Sequence, residues 1–112
     1  MKKYNLEQVE EMAGGDQEFI LEMVTTFIEE LPEDIRAMNE AVENGNAQLA
    51  YQSAHKMKPN LIIFGLDLAP EVKKIEGWAK SDSTKEEILP YANSVSETVL
   101  TACKELKEDF NL

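Results

Sequence analysis

The chain is poor in the residues that most often mark chemistry. It has one histidine, His55, one cysteine, Cys103, and one tryptophan, Trp78. A single cysteine cannot close an intramolecular disulfide, and one histidine with one cysteine cannot build a usual structural zinc site. The five glycines are scattered, and none belongs to a GxxxxGK loop that could cradle the phosphates of ATP. There is no cationic-then-apolar secretion signal and no apolar run long enough to span a bilayer, so no membrane role is expected and the cytoplasm is the default compartment. Positive charge is scarce as well, with 11 Lys and Arg against 22 Asp and Glu and a net charge of −11. That balance opposes broad contact with nucleic acid or anionic lipid and favours protein partners. Period-two strand patterns, long linkers, low-complexity tracts and internal repeats are all lacking.

What is present is helical periodicity. At 112 residues and 43% hydrophobic composition, the chain fits one domain over residues 1–112 with one core, and Met1 with compact ends favours a free-standing module. Residues 1–15 read as a short leading helix. Asn5 with Gln8 resembles a capping box, Leu6, Val9 and Met12 share a face, and Gly14-Gly15 is the stop. Asp16 opens a helix to about Leu31 with a broad apolar stripe through Phe19, Ile20, Met23, Val24, Phe27 and Ile28. Pro32 either begins the next helix or kinks a longer one, which continues through Ile35, Met38 and Val42 to Asn44-Gly45. After Gly65, Leu68, Val72, Ile75 and Ala79 form another helical face with Trp78 beside it, and Pro70 suits that helix's start. The Ser81-Asp82-Ser83 run is a break. Ser83 and Glu86 offer a second capping box, from which Ile88, Tyr91 or Ala92, Val95, Val99, Ala102 and Leu106 sustain a last long helix. These elements predict an all-α fold, an antiparallel four-helix bundle with a short N-terminal helix and an extra helical segment. No spare apolar stripe demands a second copy, so a monomer is expected.

Function is expected in residues 46–65, NAQLAYQSAHKMKPNLIIFG. Ala50, Ala54, Met57, Leu61 and Phe64 stack one buried stripe along a helix that Asn46 can cap. His55 lies roughly 120° to 140° from the centre of that stripe, on the side of Gln48, Tyr51 and Ile62, and should face solvent. No Asp or Glu occurs between Glu43 and Asp67, where the chain average would place about 4.5. Lys56 and Lys58 flank the histidine inside this acid-free window. An exposed imidazole without a nearby carboxylate is mostly neutral at pH 7 and keeps a free lone pair. A phosphoryl group placed on it would be stabilised by a lysine and repelled by acids, so the surface suits an exposed phosphoacceptor. That reading presumes a water-accessible ring with no neighbouring anion; with the ring packed in the core or gripped by a carboxylate it collapses and leaves only a helical protein of unknown purpose. Pro59 cannot donate to the His55 carbonyl and crowds it, which predicts a bend beneath the histidine or a helix end near Lys58.

The run His55-Lys56-Met57-Lys58 followed by Gly65 resembles the signature of the histidine-containing phosphotransfer (HPt) domain of two-component phosphorelays. In that signature lysine stands at the third position after the histidine and glycine at the tenth, and Lys58 and Gly65 fall there. The helical pattern before and after extends the resemblance over nearly all of the chain. Two departures stand out. Pro59 replaces a common glycine, and bulky Leu61 and Ile62 replace small residues, which puts partner geometry in question.

The resemblance implies a phosphorelay intermediate. His55 would accept a phosphoryl group, through Nε2 as in the family, from a receiver-domain aspartate and pass it to another, with Lys58 holding phosphate charge. Gln48, Tyr51, Gln52, Lys56, Pro59 and Ile62 would form the docking face, and Gly65 would be a structural motif position. Partners would be response-regulator receiver domains and a hybrid sensor histidine kinase. The chain would be a phosphohistidine carrier without ATP-dependent kinase activity and without its own cofactor or metal, Mg²⁺ residing on the receiver. The competing reading is a noncatalytic helical docking adaptor with Ile62 as an apolar anchor. General-base catalysis by His55 lacks a second catalytic group at suitable spacing.

Overall fold

One long helix organises the architecture. The computed structural model describes residues 2–112, and all regular structure among them is helical: α1 (Glu7–Ala13), α2 (Gln17–Glu43), α3 (Ala47–Ile63), α4 (Ala69–Gly77), a 3₁₀ turn (Trp78–Lys80) and α5 (Lys85–Asp109). Asp16 starts α2 by accepting from the backbone N–H groups of Glu18 and Phe19 at 3.0 and 3.2 Å, which satisfies donors that have no carbonyl of their own in the first turn. Pro32 neither ends α2 nor begins a new helix. The missing hydrogen bond is offset by burial on both sides of it, with Ile20, Val24, Phe27 and Leu31 before and Ile35, Met38 and Val42 after all in the core.

At the end of α2, Gly45 takes a left-handed conformation (φ +69°) and Asn46 N–H returns to the Ala41 carbonyl at 2.8 Å. The chain thus turns directly into α3, where the Asn46 side chain accepts from Leu49 N–H at 3.1 Å. This is the expected cap.

Four local expectations shift. Asn5 Oδ1 accepts from Glu7 N–H at 2.8 Å, but no capping box with Gln8 can form because the Asn5 N–H is already given to the Phe64 carbonyl at 2.8 Å. Met12, expected on the apolar face of α1, is exposed, since α1 rests mainly on α2 and buries Val9 alone completely. After α4 the backbone tightens into a 3₁₀ turn, which advances each residue by about 120° rather than 100° and carries Trp78, not Ala79, into the core. The Trp78 indole N–H donates to the Ser83 carbonyl at 2.9 Å. With that carbonyl engaged, α5 is capped one residue later than expected, by a Thr84/Glu87 capping box.

The core is a single cluster drawn from all five helices and centred on residues such as Phe27, Met38, Met57, Phe64 and Ile75, with the Phe27 and Phe64 rings 4.3 Å apart at 36°. α2 packs against α3 and α5, and α4 packs against the same two, so α3 lies between α2 and α4. No helix among the described residues is long and apolar enough to cross a membrane.

Candidate functional site on the outer face of α3

The inner stripe of α3 falls where its spacing predicts. Ala50, Ala54, Met57, Leu61 and Phe64 are all buried. Turning that stripe inward forces the opposite side outward, and the His55 side chain is 63% exposed. Gln48, Gln52, Lys56, Lys58, Pro59 and Ile62 are exposed and Tyr51 is half-buried, so the expected docking residues do lie at the surface. Tyr51, one turn before His55, stacks on the imidazole with centroids 5.4 Å apart and planes 9° from parallel, which limits the ring's rotation.

The expectation of a site without a nearby anion is overturned. The acid-free window holds only along the chain. Glu76 of α4 reaches across and places Oε2 3.1 Å from His55 Nδ1 and Oε1 3.2 Å from Lys58 Nζ. Its side chain is only 15% exposed, so the two contacts fix it between α3 and α4. The physical reason is packing: Val72 and Ile75 bury the inner face of α4, and the next residue, Glu76, then emerges at the seam with α3. An imidazole gripped by a carboxylate is the arrangement that overturns the phosphoacceptor reading in the form the sequence supported, and it is present at one nitrogen.

The two ring nitrogens differ. A carboxylate can only accept, so the hydrogen bond requires the proton on Nδ1. In the neutral ring this tautomer leaves Nε2 with a free lone pair. Nε2 has no hydrogen-bond partner among the described residues. The arrangement is therefore an imidazole held at Nδ1 from behind, with an ammonium held by the same carboxylate.

Lys56 is turned elsewhere. Its Nζ lies 3.0 Å from Oδ1 of Asp34, a nearly buried carboxylate on α2, and the hydrogen bond to Asp34 followed by its charge hold the ammonium above its ordinary range. This pair ties α3 to α2, so Lys56 is not assembled with His55, Lys58 and Glu76. Pro59 does not end α3, which runs on to Ile63, although residue 59 cannot donate to the His55 carbonyl. Gly65 serves the scaffold: at φ +69°, a Cβ there would sit 2.6 Å from Cβ of Asn5 and 3.2 Å from its backbone N and O. The absence of a side chain lets the N-terminal segment cross the end of α3.

Beside the histidine, α3 and α4 leave an open cleft of about 410 Å³ that includes Gln48, Tyr51, Lys73, Glu76 and Lys80 in its walls. No group of three or more His, Cys, Asp or Glu side chains among the described residues is placed to hold a metal ion. Comparison with protein-family models, curated proteins and solved structures finds no match.

Sequence reasoning missed Glu76. It lies 21 residues from His55, and no periodicity within α3 points to it. The available signal was the position of Glu76 next to the buried stripe of α4, which becomes informative only once α4 is known to lie beside α3.

Proposed function

We propose that the chain is a phosphohistidine carrier of the HPt kind, a cytoplasmic relay between receiver domains, built as an antiparallel four-helix bundle of α2 to α5 with α1 as an added lid. The mutual packing of these helices and the direct turn from α2 into α3 support the bundle reading. The observation that carries the function is the asymmetry of His55: Nδ1 is engaged by Glu76 while Nε2 is open on an exposed face, with Lys58 beside it. This replaces the acid-free surface as the basis of the assignment.

In the proposed step, the Nε2 lone pair attacks the phosphorus of a partner's phosphoaspartate in line. The Nε2–P bond forms as the bond from phosphorus to the aspartate oxygen breaks, and the aspartate leaves as a carboxylate. The imidazole gains positive charge, which the Nδ1–H contact to Glu76 stabilises in the way a buried carboxylate steadies a catalytic imidazolium. Lys58 then divides its charge between Glu76 and the phosphoryl oxygens. Loose phosphoryl transfer requires positioning and charge stabilisation more than covalent assistance, so a nucleophile, an orienting carboxylate and an ammonium suffice on this side. The second receiver takes the group by the reverse of these bond changes. Receiver domains are the partners this reading requires, free-standing or within a hybrid sensor kinase, with Mg²⁺ carried by the receiver.

A noncatalytic docking adaptor is the second reading. It is favoured by Ile62, which is 55% exposed on the same side of α3 as His55, and by the engagement of Lys58 with Glu76 before any phosphate arrives. The experiment that separates the two offers receiver domains, radiolabelled with acetyl phosphate, to the chain and to His55→Gln. Acid-labile label on the chain and none on a folded His55→Gln variant is expected. Label retained by that variant removes the assignment, and binding without any transfer leaves the adaptor.

A further inference from the structure

The positive charge of this acidic molecule is unevenly used. Arg36 is held by Glu33 and Glu40, Lys2 by Asp109, Lys56 by Asp34 and Lys58 by Glu76, while the Lys85 ammonium donates to the Glu43 carbonyl. Lys73 and Lys80 are exposed and make no ion pair among the described residues, a state they share with Lys3, Lys74, Lys104 and Lys107. Both wall the α3–α4 cleft, whose other walls include Tyr51, stacked on His55, and Glu76, bonded to it. The one carboxylate of those walls is already engaged by His55 and Lys58. In a chain of net charge −11, the groove adjoining the nucleophile is therefore lined by two uncommitted cations, whereas the outer face of α2 displays exposed Glu22, Glu29, Glu30, Glu33 and Glu40.

We infer that this cleft, through Lys73 and Lys80, receives a carboxylate-bearing loop of the protein that exchanges phosphoryl groups with His55. The inference rests on the relay reading for the identity of that occupant. Charge complementarity argues for it. An acidic partner is repelled by most of this molecule, and Lys73 and Lys80 are the unpaired lysines that wall the cleft beside His55, which steers the encounter and fixes its orientation. Lys73 and Lys80 lie on the α4 side of His55, so an anchor there settles on which side of the imidazole the partner stands. They select the partner and leave the chemistry to His55.

The test uses the whole chain carrying His55→Gln, which cannot discharge the partner, titrated with individual receiver domains phosphorylated by acetyl phosphate. Chemical-shift changes in a ¹⁵N-labelled sample are expected at Lys73, Gly77 and Lys80, and binding should weaken between about 50 and about 300 mM salt, where screening shortens to below the width of the contact. Adding Lys73→Glu and Lys80→Glu should weaken binding about tenfold or more, the range of steering effects, and flatten its salt dependence. Lys104→Glu with Lys107→Glu imposes the same net charge on α5 and should change affinity by no more than about twofold. Equal losses in the two double variants, no loss in the first, or no binding by any receiver overturns the inference. The relay reading fails separately: a chain that binds receivers through this cleft but never takes their label keeps the docking surface and loses the phosphocarrier.

Discussion

Replacing Glu76 by alanine should reverse the division of labour between the two nitrogens of His55. A hydrogen bond to a charged group contributes about 1.5–3 kcal/mol when well shielded. The histidine is 63% exposed, and solvent screening reduces that to about 1 kcal/mol. Since 1.36 kcal/mol corresponds to a factor of ten, removing the carboxylate should shift the ratio of Nδ1–H to Nε2–H tautomers about fivefold toward the latter. Tautomers are read directly from the ¹⁵N shifts of the ring above its titration range, in a histidine-labelled sample with a single signal to assign. The same change lowers the fraction of rings with a free Nε2 lone pair, so single-turnover acceptance of phosphate from a charged receiver should slow by up to about fivefold from this cause. Glu76→Gln retains a carbonyl oxygen that can accept from Nδ1–H and should fall between alanine and the native chain in both measurements. An unchanged tautomer ratio in Glu76→Ala would refute the claim that the contact orients the ring, whatever happened to the rate.

Other outcomes follow from the same geometry. Lys58→Ala should slow phosphate acceptance without abolishing it, and an unchanged single-turnover rate would reduce Lys58 to a surface charge tied to Glu76. Gly65→Ala should cost about 1–2 kcal/mol for the left-handed backbone alone and more because Asn5 must move from a contact of 2.6 Å; urea titration of both chains measures it, and equal midpoints would reject the crossing of the N-terminal segment. Tyr4, whose phenol donates to Asp109, has its pKa raised to about 12 by burial first and then by that hydrogen bond. Its contribution to stability is complete below the ordinary tyrosine value of about 10 and is lost as pH rises through about 12, because the unfolded chain releases the proton first. Tyr4→Phe should remove that part of the alkaline loss seen in melting temperature.

Much of α3 was legible because helical spacing reports burial directly. The apolar stripe placed Ala50, Ala54, Met57, Leu61 and Phe64 inside and His55 outside without knowledge of any neighbour. Caps were legible where a side chain bonds its own helix, as at Asp16 and Asn46. They were misplaced where a distant group had first use of the backbone: Phe64 takes the Asn5 N–H, and Trp78 takes the Ser83 carbonyl. Pro32 and Pro59 were ambiguous for a related reason, since the local cost of a proline is known but the burial that offsets it is contributed by other helices.

The amino-acid order by itself determined that the chain is helical, which face of α3 is apolar, and that its lone imidazole stands on the opposite face, because all three depend on residues within one or two turns of each other. Tertiary structure alone decided the electrostatic surroundings of that imidazole. Charge acts through space, so an acid-free stretch of chain does not make an acid-free site once α4 brings Glu76 within 3.1 Å of Nδ1. The same packing set Lys56 against Asp34 and left Lys73 and Lys80 in the cleft beside His55, a placement governed by which helices become neighbours rather than by spacing along any one of them.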